Sequence, residues 1–229
     1  TRPYSTYEIQ IFANGYEPVT ISGAEILSGE TALQNIALLP LGNTIENTSQ
    51  LYVIPPHTLY GEYPPKSPEA ELKKTTETGE IVLSRVVIPE YVVVHDGPPN
   101  DYTTKNYYVK YKDYIKNVAS SEIYATWPKE TILANILCIQ SITLNRVYTE
   151  WYRSRGYPFD ITSSTSYDQK FIKNRNIFEN ISEIVDDIFN RYVVKQGSQN
   201  PYFTEYCNGT TVTCSGLSQW GTVSLANQG

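Results

Sequence analysis

The segment Asp113 to Pro128, DYIKNVASSEIYATWP, and the apolar periodicity after it restrict this chain more than any other stretch. Ile115, Val118, Ala119 and Ile123 recur at helical spacing, so a short helix turns one face inward. Tyr107, Val109 and Tyr111 alternate ahead of it as a strand. Pro128 suits the first turn of a following helix, where its missing N–H is not needed. Ile132, Ile136, Ile139, Thr143, Val147 and Trp151 lie on one stripe, which predicts a long helix to about Arg153 with Gly156 as the stop.

Glu122 falls at the end of the short helix, with Val118, Ile123, Tyr124 and Trp127 as neighbours. An apolar setting disfavours the charged carboxylate and raises its pKa. A raised carboxyl pKa is what protonating a leaving oxygen near neutral pH requires. Against this stands the base rate of exposed glutamates, which favours a solvated helix-end residue.

The first 42 residues read as β-structure. Tyr7, Ile9 and Ile11 share a face, Asn14-Gly15 is a turn dipeptide, and Val19, Ile21, Ile26 and Leu27 follow. Ala32 to Leu38 reads as a last strand. Residues 43–100 are punctuated by Pro55-Pro56, Pro64-Pro65 and Pro68, with a charged run from Glu69 to Glu80, which is linker composition. Within them Ile81 to Val87 is a possible strand, and Tyr91-Val92-Val93-Val94 is a strongly β-prone run. His95-Asp96 beside Gly97-Pro98 reads as a capped turn rather than a catalytic dyad, since no G-x-S-x-G elbow accompanies it. Later, Asn176 with Glu179 resembles a capping box opening a helix whose face is Ile177, Ile181, Ile184-Val185, Ile188 and Tyr192, ending before Gly197. The fold class is therefore α+β: a β-rich, partial sandwich-like region at 1–42, a Pro-rich stretch at 43–100, and a mixed domain with a long central helix at 101–229.

Net charge is −6 and the pI is near 5.0. That excludes a basic footprint for nucleic acid and a basic face for anionic membranes, and no apolar run approaches a membrane span. Twenty tyrosines suit polar surfaces that stack on sugars, and suit β-rich extracellular proteins equally. Methionine is absent even at position 1, so Thr1 reads as a processed or trimmed start and the chain as a piece of a longer protein. Of three cysteines, Cys138 sits among Ile136, Leu137 and Ile139 and reads as a buried apolar residue. Cys207 and Cys214 flank a turn-like hexapeptide. A disulfide, two free thiols and half a metal site all remain open, although two thiols without a nearby histidine make a poor zinc signal.

Val109 to Pro128, V-x-x-x-D-Y-I-x-x-V-x-x-S-E-I-x-x-x-W-P, resembles the opening motif of the SpoIID domain family. Arg146-Val147-Tyr148 stands near the place of that family's R-T-Y. Ser166 to Phe171 resembles a divergent S/C-Q-V-Y segment, and Leu217-Ser218-Gln219-Trp220-Gly221 resembles the closing G-M-S-Q-W-G-A. Within the family, Ser120 to Pro128 and Asn145 to Tyr152 are most similar to the SleC-type spore cortex-lytic enzymes. The resemblance covers roughly residues 105–229. The phrase from Tyr4 to Val19 resembles the second half of a transthyretin-like, carboxypeptidase-regulatory-type sandwich, whose missing strands are expected upstream.

The resemblance implies a peptidoglycan lytic transglycosylase of the spore cortex or coat region, acting during germination. Glu122 would be the catalytic acid and base. Arg146, Tyr167, Asp168, Gln169, Ser218, Gln219 and Trp220 would bind substrate, with Ser163-Ser164-Thr165 as an adjacent polar loop. No cofactor and no metal are expected: some family members bind zinc through Cys and His, but Asp168 stands where one such Cys would be matched. The implied partners are glycan strands and a protease that activates a stored precursor, with a cut expected near Glu90 to Val94. The alternatives are a hydrolytic muramidase with Asp168 as second carboxylate, and a non-catalytic wall-binding scaffold. In a bacterial protein the N-x-[ST] sites at Asn47, Asn180 and Asn208 are chance matches.

Overall fold

A computed structural model describes residues 2–42, 50–61, 63–67, 83 and 85–229 of the chain. Asn47, Pro68, the run Glu69 to Glu80, and Ile81, Val82 and Ser84 of the possible strand at 81–87 lie outside the described residues; Leu83 and Arg85 to Val87 belong to no strand. The fold is α+β, with small sheets lying mostly toward the N-terminus and helices concentrated after residue 110.

β1 (Tyr4–Ile11) and β2 (Val19–Leu27) form an antiparallel hairpin through the expected Asn14-Gly15 turn. Tyr7 pairs with Ala24 and Glu8 with Ser22, which leaves Gly23 as the bulged residue. Its φ of +87° is a conformation that glycine tolerates best, and a Cβ there would lie 2.3 Å from the Ile54 carbonyl oxygen. Ala32–Leu33 (β3) is all that pairs of the strand expected over 32–38. The Gln34 amide turns aside to the Asn174 carbonyl, and Ile36 and Leu38 pack on the hairpin.

The stretch read as linker supplies structure. Gln50–Val53 (β4) pairs in parallel with β2, so a third strand of this sheet comes from downstream of the hairpin. Ile54, His57 and Thr58 are buried. Proline removes donors from a ladder but does not prevent an extended segment from packing its side chains. Tyr91–His95 (β5) is the middle strand of a second sheet, antiparallel to Asn106–Lys110 (β6) and parallel to Ile161–Thr162 (β7). Val92, Val93 and Val94 are all buried. A protease cut expected near Glu90 to Val94 would therefore fall on a core strand, where the backbone is not offered to an enzyme.

Tyr111–Glu122 (α1) starts where the alternating strand was expected to continue, and buries Ile115, Val118 and Ala119 as the spacing predicts. Ile123 leaves the helix in an extended conformation. Lys129–Tyr148 (α2) follows Pro128, which occupies the N-cap rather than the first turn. α2 buries Ile132, Ile136, Cys138, Ile139 and Thr143, and stops five residues before Arg153. Glu150 adopts φ +46°, its N–H reaches the Val147 carbonyl, and the Trp151 N–H reaches the Arg146 carbonyl. This is a Schellman closure with a glutamate in the left-handed position. Gly156 closes only the short turn that follows.

Ile177–Phe178 (β8) pairs with β3, and Glu179–Ile188 (α3) packs Ile181, Ile184, Val185 and Ile188 inward. Asn176 does not cap α3. Its amide oxygen accepts from the Glu25 N–H and its nitrogen donates to the Glu25 carbonyl. Arg175 completes the junction by an ion pair with Glu25 at 3.1 Å, both side chains essentially without solvent contact. Residues 1–42 are thus fastened to the helical part by a buried charge pair. Tyr206–Cys207 (β9) and Leu217–Ser218 (β10) form a short parallel pair before the last helix, Gln219–Ala226 (α4).

A non-glycine residue in the left-handed region costs about 1 kcal/mol. Glu150→Gly is expected to raise the unfolding free energy, by about 1 kcal/mol at most once the added freedom of the unfolded chain is counted. Thermal or urea denaturation of the two proteins checks this.

Candidate active site

Glu122 is the last residue of α1 and has no solvent exposure. Its carboxylate receives two hydrogen bonds from distant parts of the chain. The Lys170 N–H donates to Oε1 at 2.6 Å, and the Tyr206 hydroxyl donates to Oε2. The Gln219 side-chain amide holds the Glu122 backbone carbonyl at 3.3 Å. Loss of hydration pushes the Glu122 pKa above the ordinary carboxyl value. The Tyr206 and Lys170 hydrogen bonds and the Lys66 and Lys170 charges only partly offset it. The negative end of the α1 dipole opposes an anion here as well.

Two side chains from the Pro-rich stretch lie near enough to this group for its charge to act on them. Tyr63 is buried, and the Glu122 and Glu205 charges add to the burial that raises its phenol pKa. Lys66 donates its ammonium to the Asp168 carbonyl at 3.2 Å and lies 5.5 Å from the Tyr206 ring centre. The same segment is tied down by Thr58, whose hydroxyl donates to the Ser121 carbonyl, and by the Ser67 N–H on the Ser166 carbonyl. Burial lowers the Lys66 pKa, and the neighbouring carboxylates raise it.

The remaining expected site residues divide by role. Asp168 is buried, and its oxygens accept from Arg146 Nε at 2.8 Å, the Tyr152 hydroxyl at 2.7 Å, and the Thr162 N–H and hydroxyl at 2.9 and 2.7 Å. Arg146 is buried with it, its guanidinium 4.6 Å from the Trp151 ring centre and 4.5 Å from that of Phe203. These two form an internal ion pair and do not line an open groove. Gln169 is also internal: its oxygen accepts from Tyr114 and Thr143, and its nitrogen donates to the Ile139 carbonyl. Tyr167 is half-buried against Tyr152, Tyr157 and Phe159. Ser218 caps α4 through the Gly221 N–H. Trp220 is half-buried edge-on to Trp127, with ring centres 5.1 Å apart. Glu122, Gln219 and the Lys170 backbone are brought together. Asp168 and Arg146 form a separate buttress beside them.

A cleft of about 390 Å³ opens next to this centre, between Pro55, Pro56, Thr58 and Pro64 on one side and Gly97, Pro98, Ser163, Ser164, Thr165 and Lys170 on the other. The polar 163–165 loop singled out in the sequence is thus one wall of it. His95 and Asp96 make no dyad. His95 contacts Asn106 and the Pro98 carbonyl, while Asp96 accepts from the Ser163 hydroxyl. Sequence spacing did not find Tyr206, Tyr63 or Lys66. They reach Glu122 only through tertiary packing, and the one local signal was the position of Tyr206 beside a cysteine.

Cys207 and Cys214 are joined in a disulfide, with Cα atoms 6.1 Å apart. Among the described residues no group of three or more His, Cys, Asp and Glu side chains is placed to hold a metal ion. Among them also, no helix is long and apolar enough to cross a membrane. No protein-family model, curated protein or solved structure matches the chain.

Because the folded pKa of Glu122 is raised, the native state binds this proton more tightly than the unfolded chain. The stability contributed by protonated Glu122 is complete below the ordinary carboxyl value of 4.5 and is lost as pH rises through the folded value. Glu122→Gln keeps the shape: the amide oxygen accepts from Lys170 and its nitrogen donates to the Tyr206 oxygen. The variant is therefore expected to unfold at a higher temperature than the parent at pH 7, with the gap closing below about pH 4.5. Melting curves across pH 3–8 measure it.

Proposed function

We propose that this chain is a SpoIID-like peptidoglycan lytic transglycosylase of the spore cortex, stored in a covered, precursor-like form. The observation that supports it most is one buried carboxyl group beside a cleft walled on one side by Ser163, Ser164 and Thr165, sharing its Oε2 with a tyrosine hydroxyl. The Lys170 N–H can only donate, so it keeps Oε1 unprotonated. The Tyr206 oxygen can also accept. A proton on Glu122 therefore resides on Oε2, facing Tyr206. When it leaves, the hydroxyl reverses and donates to the carboxylate that remains.

In the reaction, Glu122 Oε2–H protonates the oxygen leaving C1 of the muramic acid residue, and the C1–O bond breaks. The resulting carboxylate takes the proton from the same sugar's C6 hydroxyl, whose oxygen bonds to C1 and closes a 1,6-anhydro ring. One carboxyl suffices because no water is activated. The rival muramidase reading needs Asp168 to activate water. Its two oxygens already accept four hydrogen bonds, which leaves little capacity for a nucleophilic water. The scaffold reading gains from the complete burial of Glu122, since a polymer reaches such a group only when what covers it opens. The covering segment accounts for that burial without abandoning catalysis.

Glu122→Gln is expected to lower glycan cleavage by roughly 10²–10⁴-fold or more, with the fold retained. Mass spectrometry of cortex fragments from the parent is expected to give anhydro ends. Reducing ends would transfer the reading to a muramidase, and binding without cleavage to a scaffold. The double substitution Tyr63→Ala, Lys66→Ala, which opens the cover, is expected to increase turnover on soluble cortex glycan. Unchanged or lower turnover would mean that this segment belongs to the working site.

A further inference from the structure

The Tyr206 ring is buried in the main core, but the backbone that carries it has little regular structure. β9 is two residues long and pairs only with the two residues of β10, in the register Tyr206 to Leu217 and Cys207 to Ser218. A ladder that short does not hold a side chain in one place by itself. What adjoins it is the Cys207–Cys214 disulfide, closing a loop seven residues apart in sequence. Both sides of that closure meet Glu122. On the entering side the Tyr206 hydroxyl donates to Oε2, and just beyond β10 the Gln219 amide donates to the Glu122 carbonyl.

The loop is built for close approach. A Cβ on Gly216 would lie 1.7 Å from the Glu205 carbonyl oxygen, and one on Gly209 would lie 1.8 Å from Ser218 Oγ. The Asn208 side chain orders the loop's tip by accepting from the N–H groups of Thr210, Thr211 and Val212. Those bonds stay inside the loop and do not fix its base against Glu122. The base is where the disulfide lies.

We propose that the Cys207–Cys214 disulfide is a positioning element for the acid, locking β9 so that the Tyr206 hydroxyl stays on Glu122 Oε2. The proposal takes Glu122 as the acid of the reaction above, but its geometry is independent of which bond is cleaved. Removing the Tyr206 hydrogen bond removes a group that favours the carboxylate, so the Glu122 midpoint should rise when the disulfide opens.

The test is a pH titration of the intact chain labelled with ¹³C at glutamate carboxyl carbons, Glu122 being assigned by the resonance lost in Glu122→Gln. Oxidised protein, protein reduced with a phosphine, and the Cys207→Ala, Cys214→Ala variant are compared with Tyr206→Phe. Opening the disulfide by either route is expected to move the midpoint upward, as Tyr206→Phe does, and reduction of Tyr206→Phe should move it no further. On cortex glycan, reduction should lower kcat and shift the pH profile in the same direction, with KM little changed. A midpoint equal in oxidised and reduced folded protein overturns the proposal. So does an equal further shift in reduced Tyr206→Phe, or global unfolding on reduction seen by circular dichroism, since the disulfide would then hold the domain rather than one hydroxyl. If Glu122→Gln still cleaves glycan, the lytic reading falls and the midpoints still decide the disulfide's role.

Discussion

A carboxyl group without solvent exposure, at the negative end of a helix, is the constraint around which the rest of this molecule is arranged. Such a group is tolerated only where hydrogen bonds replace its hydration. None of those donors can come from α1 itself, whose N–H groups point the other way along the axis. They come instead from the Lys170 backbone, from Tyr206 before the disulfide loop, and from charges on Lys66 and Lys170. Three remote segments must therefore converge on Glu122.

The convergence depends on neighbouring polar groups being fully partnered. Asp168, with four donors, fixes the 162–168 turn that leads into Lys170, and Arg146 carries this carboxylate's countercharge from α2. Gln169 binds the same segment to α1 and α2 through Tyr114 and Thr143. In this way residues that resemble substrate contacts in a motif serve as the frame that aims the Lys170 N–H. Removing one partner of a buried ion pair such as Arg146–Asp168 or Glu25–Arg175 leaves an uncompensated charge, which costs about 3–5 kcal/mol. The N-terminal hairpin and the cover over Glu122 are both held to the helical part by interactions of this kind or by side chain to backbone hydrogen bonds.

Much of the helical architecture was legible in advance, because a 3.6-residue period reports which face is buried regardless of what covers it. The inward faces of α1, α2 and α3 follow the spacing of Ile115, Val118, Ile132, Ile136, Ile139, Ile181 and Ile184. Where the reading departed from the structure, a local rule was overridden by packing. Asn176 was drawn from the helix start to the backbone of Glu25, and the helix expected to run to Arg153 closed at Tyr148 through a left-handed Glu150. Proline-rich composition read as linker, yet Ile54, His57 and Tyr63 are buried, because composition reports backbone hydrogen-bonding capacity and not side-chain packing.

The amino-acid sequence by itself determined the helices' inward faces, the β-hairpin at Asn14-Gly15, and Glu122 as a carboxyl at a helix end among apolar neighbours. These follow from interactions between residues a few positions apart. Only the tertiary structure decided that Tyr206 and the Lys170 N–H hold that carboxyl, that Arg146 and Asp168 are a buried pair, and that Tyr63 and Lys66 come near it. Those contacts join residues 48 to 84 positions apart or cross between elements, and no periodicity in a single chain encodes which distant donor satisfies a buried acceptor.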